Sequence, residues 1–131
     1  ATGALDERAE LIERLQTLRP RHPMDYLNWA EELGKNNARF SIQLDALKVF
    51  LRDVMRYQAG GERAPIINRD MEREVIKWAG ALTPNETLDM IKALNEAADL
   101  ITRNVNKQFI AEKTLRRLRP SEHQSNLLFK H

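Results

Sequence analysis

The sequence predicts an all-α domain, a compact bundle of five to six helices, on three observations. Ala, Leu, Glu, Lys and Arg supply 64 of its 131 residues, the composition of long helices. Apolar residues recur at three- and four-residue intervals in segment after segment, the period of a helix with one buried face. Between those segments stand prolines, glycines and capping residues that stop one helix and start the next. A chain of this length buries about two thirds of its unfolded surface, enough for one core without a metal or a disulfide.

Leu5, Ala9, Leu11, Ile12, Leu15 and Leu18 fall on one side of a first helix. It stops where Arg19 meets Pro20, because proline pushes the preceding residue out of the α region. Residues 20–23 connect it to a short second helix over 24–33, with Leu27, Ala30 and Leu33 at helical spacing and Gly34 as a left-handed cap. The third helix, over 38–57, gathers Phe40, Leu44, Leu47, Phe50, Leu51, Met55 and Tyr57 in one broad arc. Ile42 and Val49 lie outside that arc beside Asp53, either as a second apolar patch that meets a partner or as the flank of a wide buried face. Arg52 and Asp53 read either as an interface pair or as an exposed ion pair on a long helix.

Ala59-Gly60-Gly61-Glu62-Arg63-Ala64-Pro65 is the strongest break in the chain. A fourth helix over 69–82 carries Met71, Val75, Ile76, Trp78 and Ala79. Thr83, Pro84 and Glu86 then predict a helix start, with Thr83 as N-cap, Pro84 in the first helical position and Glu86 closing a capping box. In the fifth helix the apolar residues span about half the circumference, an arc wide enough for more than one neighbour. Met90, Ala93, Ala97 and Leu100 on it are therefore candidates for partner contact as well as for the core. Asn104-Val105-Asn106 breaks the periodicity, and Asn106 caps a last helix over 107–118 whose inner face is Ile110, Ala111, Leu115 and Leu118. Arg119-Pro120 ends a single domain spanning residues 1–120, and residues 121–131, without periodicity, read as a flexible tail.

The residues for chemistry are missing. There is no cysteine, hence no disulfide, no thiol nucleophile and no Cys-ligated zinc. Neither phosphate-binding glycine pattern occurs, and His22, His123 and His131 include no pair at metal-ligand spacing. Acid pairs such as Glu31-Glu32 sit on polar helix faces, with nothing to raise a carboxyl pKa for acid catalysis. The expectation is no catalytic residue, no cofactor, no metal and no enzyme. No run approaches a membrane span and the first residues do not resemble a signal peptide, so a cytoplasmic protein with no membrane partner is expected. Residues 103–131 carry 7 basic and 2 acidic side chains, and Arg103, Lys107, Lys113, Arg116 and Arg117 could form a nucleic-acid-binding helix. A solvated basic helix end explains the same residues. Wide apolar helical faces without a chemical constellation suit an assembly or adaptor module.

Three segments resemble the C-terminal domain of the bacterial DNA polymerase III clamp-loader delta-prime subunit, a relative of the gamma/tau collar domains. Leu44-Asp45-Ala46-Leu47-Lys48-Val49-Phe50-Leu51-Arg52-Asp53-Val54 is similar to the family's leucine-rich helix running into Leu, Arg, Asp. Trp29-Ala30-Glu31-Glu32-Leu33 resembles its short Ala-Glu-Glu-Leu helix. Asn104-Val105-Asn106, followed by Glu112, Leu115 and Leu118, resembles its Asn-x-Asn break and terminal helix, and Ile67-Asn68-Arg69-Asp70 fits the loop entering the fourth helix. The resemblance implies a domain of a larger subunit that packs beside sister domains in a helical collar. Its partners would be the gamma/tau and delta subunits of the loader that places the sliding clamp on primed DNA, with DNA met only indirectly. It assigns Arg52 and Asp53 to helix pairing and Asn104 and Asn106 to capping or turn formation, and it leaves Ile42, Val49 and Asp53 as candidate subunit contacts. Gln124-Ser125-Asn126-Leu127-Leu128-Phe129 resembles the short Gln-x-x-Leu-x-Phe peptide that binds the sliding clamp, with Leu127 and Phe129 entering a pocket and Gln124 at its rim.

Overall fold

The structure, a computed structural model, describes residues 2–129, with side chains from residue 7 onward. Leu5 on the expected inner face of the first helix, and Lys130 and His131 of the expected tail, lie outside the residues whose side chains are described. Seven helices follow one another with no strand among the described residues: α1 Thr2–Thr17, α2 Pro23–Gly34, α3 Asn37–Gly60, α4 Glu72–Ala81, α5 Pro84–Thr102, α6 Lys107–Leu118 and α7 Glu122–Leu128. Short 3₁₀ turns at Gly61–Arg63 and Arg69–Met71 fill the break before α4. The all-α bundle predicted by composition and period is the fold.

α3 is the central element. It packs against α5 and α4 along its length and against α2 and α1 as well. Phe40, Leu44, Leu47, Phe50, Leu51 and Val54 make its buried stripe, and Phe50 meets Trp78 of α4 edge to face with ring centroids 5.9 Å apart. α2 lies along α6, α5 joins α6 in a helical hairpin, and α7 returns to α4 and α1. On α1, Leu11, Ile12, Leu15 and Leu18 are buried as expected, while Ala9 turns to solvent.

The caps follow from local chemistry. Asn36 accepts the Arg39 N–H at 3.0 Å to start α3, and Asn106 accepts the Phe109 N–H at 2.9 Å to start α6. At Thr83 the hydroxyl accepts the Glu86 N–H at 3.1 Å and the Glu86 carboxylate accepts the Thr83 N–H at 2.8 Å, the predicted reciprocal box. α5 ends in a Schellman turn. Asn104 takes the left-handed conformation with φ 60°, the Val105 N–H reaches Leu100 O at 3.3 Å and the Asn104 N–H reaches Ile101 O at 3.2 Å.

Two sequence expectations are corrected here. Gly34 is not a left-handed cap; it closes α2 in helical conformation, and only Gly61 and Asn104 have positive φ among the described residues. A Cβ on Gly34 would stand 2.9 Å from Gln108 Cβ and 3.1 Å from its Cα, so the residue is small to let α2 and α6 touch. The segment expected as a flexible tail contains α7. Ser121 caps it in a second reciprocal box with Gln124, at 3.1 and 2.8 Å, and Leu128 is fully buried beside a buried Ser125.

Candidate functional site

Asp53 lies on α3 at the border between its solvent face and its core stripe, and its carboxylate is fully buried. Oδ1 accepts the Ile67 N–H and Oδ2 the Asn68 N–H, both at 2.8 Å, and the Arg56 guanidinium donates at 3.2 Å. Three charge-assisted bonds offset the desolvation of this carboxylate, which alone would be costly to bury. Asp53 therefore forms neither a pair with Arg52, which is exposed, nor a contact surface of its own. It clasps the loop before α4 onto α3. Asn68 in that loop is buried and receives Arg8 of α1, which also meets Asp70 at 2.8 Å.

The clasp shapes the outer face of α3. Ile66 turns inward and its neighbour Ile67 is held out, 65 % exposed, beside the same helix. At 100° per residue Ala38, Ile42 and Val49 fall within about 40° of one another on that helix. Ile42 is 68 % exposed and Val49 half-buried on that side, and Asp53, about 20° from Ile42 on the same count, brings the Ile67 backbone to the far end of the row. Lys48, Arg52 and Arg56 run alongside at four-residue spacing. Arg56 is bound to Asp53, whereas Lys48 and Arg52 form no ion pair among the described residues.

The other sequence candidates fall differently. Met90, Ala93 and Ala97 are buried at home because α5 is packed between α3 and α6, and Leu100 is half-buried at the Schellman turn. Asn104 and Asn106 take turn and cap roles. Gln124, Leu127 and Phe129 do not form an extended peptide. The Gln124 side chain is bound in its own cap and to Glu86 at 2.7 Å, Leu127 packs on the core, and Arg19 lies 4.7 Å over the Phe129 ring. The arginines of the C-terminal third have partners, while Lys107 and Lys113 form no ion pair among the described residues. Arg103 pairs with Asp99, Arg117 with Glu96, and Arg116 stacks 5.8 Å above Tyr26.

Sequence reasoning missed Ile67, since nothing local shows that a carboxylate fourteen residues earlier holds its backbone. It also missed α7, although Ser121 and Gln124 stand at the spacing of a capping box.

Among the described residues no group of three His, Cys, Asp or Glu side chains could hold a metal ion. A cleft of about 390 Å³ opens between residues 19–22 and α7, and the Arg21–Glu122 ion pair at 2.5 Å already matches charges along it. Two carboxyls sit below their ordinary pKa for structural reasons. Glu86 is lowered first by the Thr83 backbone N–H and further by Gln124, and Glu32 by the Arg14 guanidinium at 2.6 Å. No helix of the described residues is long and apolar enough to cross a membrane.

Fold and site together define a helical bundle that presents an apolar line rather than a chemical centre. A family model described as DNA polymerase III, delta subunit, C terminal, matches residues 2–119, and the chain belongs to that family. The clamp-loader assignment drawn from the resemblance holds at that level, and the subunit is corrected, since the description names delta and not delta-prime. The family is a component of the DNA polymerase III clamp loader and thus of DNA replication. α7 lies beyond the matched residues. No match is found among curated proteins or solved structures.

Proposed function

We propose that this chain is a non-catalytic assembly domain of the DNA polymerase III clamp loader, joining its subunit to sister subunits in a helical collar during ATP-dependent loading of the sliding clamp. The partners are the other loader subunits, DNA is met only through the complex, and the compartment is the cytoplasm. Family membership supports the loader, and the observation that carries assembly is the outer face of α3, where exposed Ile42 and half-buried Val49 share one side and exposed Ile67 is anchored to the same helix by buried Asp53. Exposed isoleucines in a line are what an association surface uses, whereas isolated ones are ordinary. Met24, Ile76, Leu88 and Phe109 also face solvent, each on a different helix, and show no comparable alignment with a clasped loop.

Size-exclusion chromatography of the chain mixed with purified loader subunits tests the reading. Co-elution at micromolar concentration is expected, and separate elution throughout that range overturns it. The nucleic-acid alternative is weakened, since Arg103 and Arg117 are ion-paired at the surface and Arg116 lies over Tyr26, which leaves Lys107 and Lys113 as its cations without an ion pair among the described residues.

A further inference from the structure

We infer that the outer face of α3 receives an apolar helix from a neighbouring subunit whose edge carries carboxylates, with Ile42, Val49 and Ile67 seating the apolar stripe and Lys48 and Arg52 pairing with the acidic edge. The inference rests on the assembly reading and adds to it the chemistry of the partner.

Geometry selects a helix. Ile42 and Val49 are β-branched residues one heptad apart, the spacing at which a second helix lays its side chains into the first. Ile67, brought in by the Asp53 clasp, extends the seat past the end of that heptad.

Charge selects an acidic edge. Lys48 and Arg52 are like charges at i, i+4, an arrangement that costs a helix a few tenths of a kcal/mol when nothing answers it. Asp45 is the one exposed carboxylate of α3, one turn before Lys48 and on the same side as Arg52, since Asp53 is buried and spent on Arg56 and the loop. The face therefore has an excess of cations beside its apolar line, and a partner of complementary potential is steered to it and fixed in register. A DNA backbone fits less well. Duplex-binding faces are polar and strongly basic throughout, and this one carries isoleucines that are 68 % and 65 % exposed.

The test uses the whole chain and the purified partner subunits, with affinity read by fluorescence anisotropy at about 50 mM salt, where surface charges are least screened. Lys48→Glu with Arg52→Glu is expected to weaken assembly about tenfold or more, and Ile42→Asp to do so at low and high salt alike. Lys92→Glu, on the exposed side of α5, serves as the control and leaves affinity unchanged. Circular dichroism shows each variant folded, as expected for surface positions. If the wild-type chain assembles and the double charge reversal assembles equally well, the face is wrong and the assembly reading stands. If the wild-type chain forms no complex, both fall. Binding of a short DNA duplex that is abolished by the double reversal, while subunit assembly is untouched, also overturns the inference.

Discussion

Gln124 of α7 donates a side-chain hydrogen bond at 2.7 Å to the carboxylate of Glu86 at the start of α5. Each residue is also the third-position partner in its own capping box, Glu86 for Thr83 and Gln124 for Ser121. One bond thus ties the first turns of two helices that are distant in sequence. It anchors a helix that lies outside the family match to the body of the domain.

The Glu86 carboxyl is held low in the fold by the Thr83 N–H and Gln124, so it contributes stability only while ionised. That contribution is complete above the unfolded glutamate pKa of about 4.3 and is lost as pH falls through the lower folded value. Urea unfolding from pH 7 to pH 3 will show wild type more stable than Glu86→Gln at neutral pH, with the difference shrinking below about pH 4.

Asp53→Ala will destabilise the domain by about 3 kcal/mol, because it strips the Ile67 and buried Asn68 N–H groups of their acceptor and leaves Arg56 unpaired. The fall in urea midpoint measures the loss. Hydrogen exchange will rise at Ile67 and Asn68 before the rest of the bundle, and a variant with unchanged protection there contradicts the clasp.

Gly34→Ala sets two effects against each other. Alanine gains about 1 kcal/mol in helix propensity, but its Cβ meets the Gln108 main chain and forces α2 from α6 at a cost of about 1–3 kcal/mol. The contact wins, since backbone cannot swing aside as a side-chain tip does. Thermal melting is expected to drop by a few degrees.

At Asn104, φ 60° excludes most side chains at little cost to asparagine and none to glycine. Asn104→Ala will lose about 1 kcal/mol and Asn104→Gly close to nothing. Equal losses for the two in chemical denaturation would show that the turn does not depend on the left-handed residue.

Where the chemistry is local, the sequence was legible. Thr83, Asn104 and Asn106 announce their turns within a few residues, and the apolar period of α1, α3 and α6 names the buried stripe. Misreadings came where distant segments decide. Gly34 matched a cap rule but answers to Gln108, and Asp53 looked exposed because its partners arrive fourteen residues later. Met90, Ala93 and Ala97, open between core and partner contact in the sequence, lie inside because α5 has neighbours on two sides, which an arc width alone does not reveal. α7, seven residues long, is too short for a period to emerge.

The two tryptophans occupy separate parts of the core. Trp29 of α2 donates to Gln43 at 3.0 Å under the Arg14 guanidinium, 4.9 Å from its ring, whereas Trp78 of α4 is sealed against Phe50 with no hydrogen-bond partner for its indole nitrogen among the described residues. Their emission should differ in colour and in quenching, so the protein carries a pair of native optical reporters. Replacing either one with phenylalanine leaves a dye-free beacon, able to tell whether loosening begins near the second helix or the fourth.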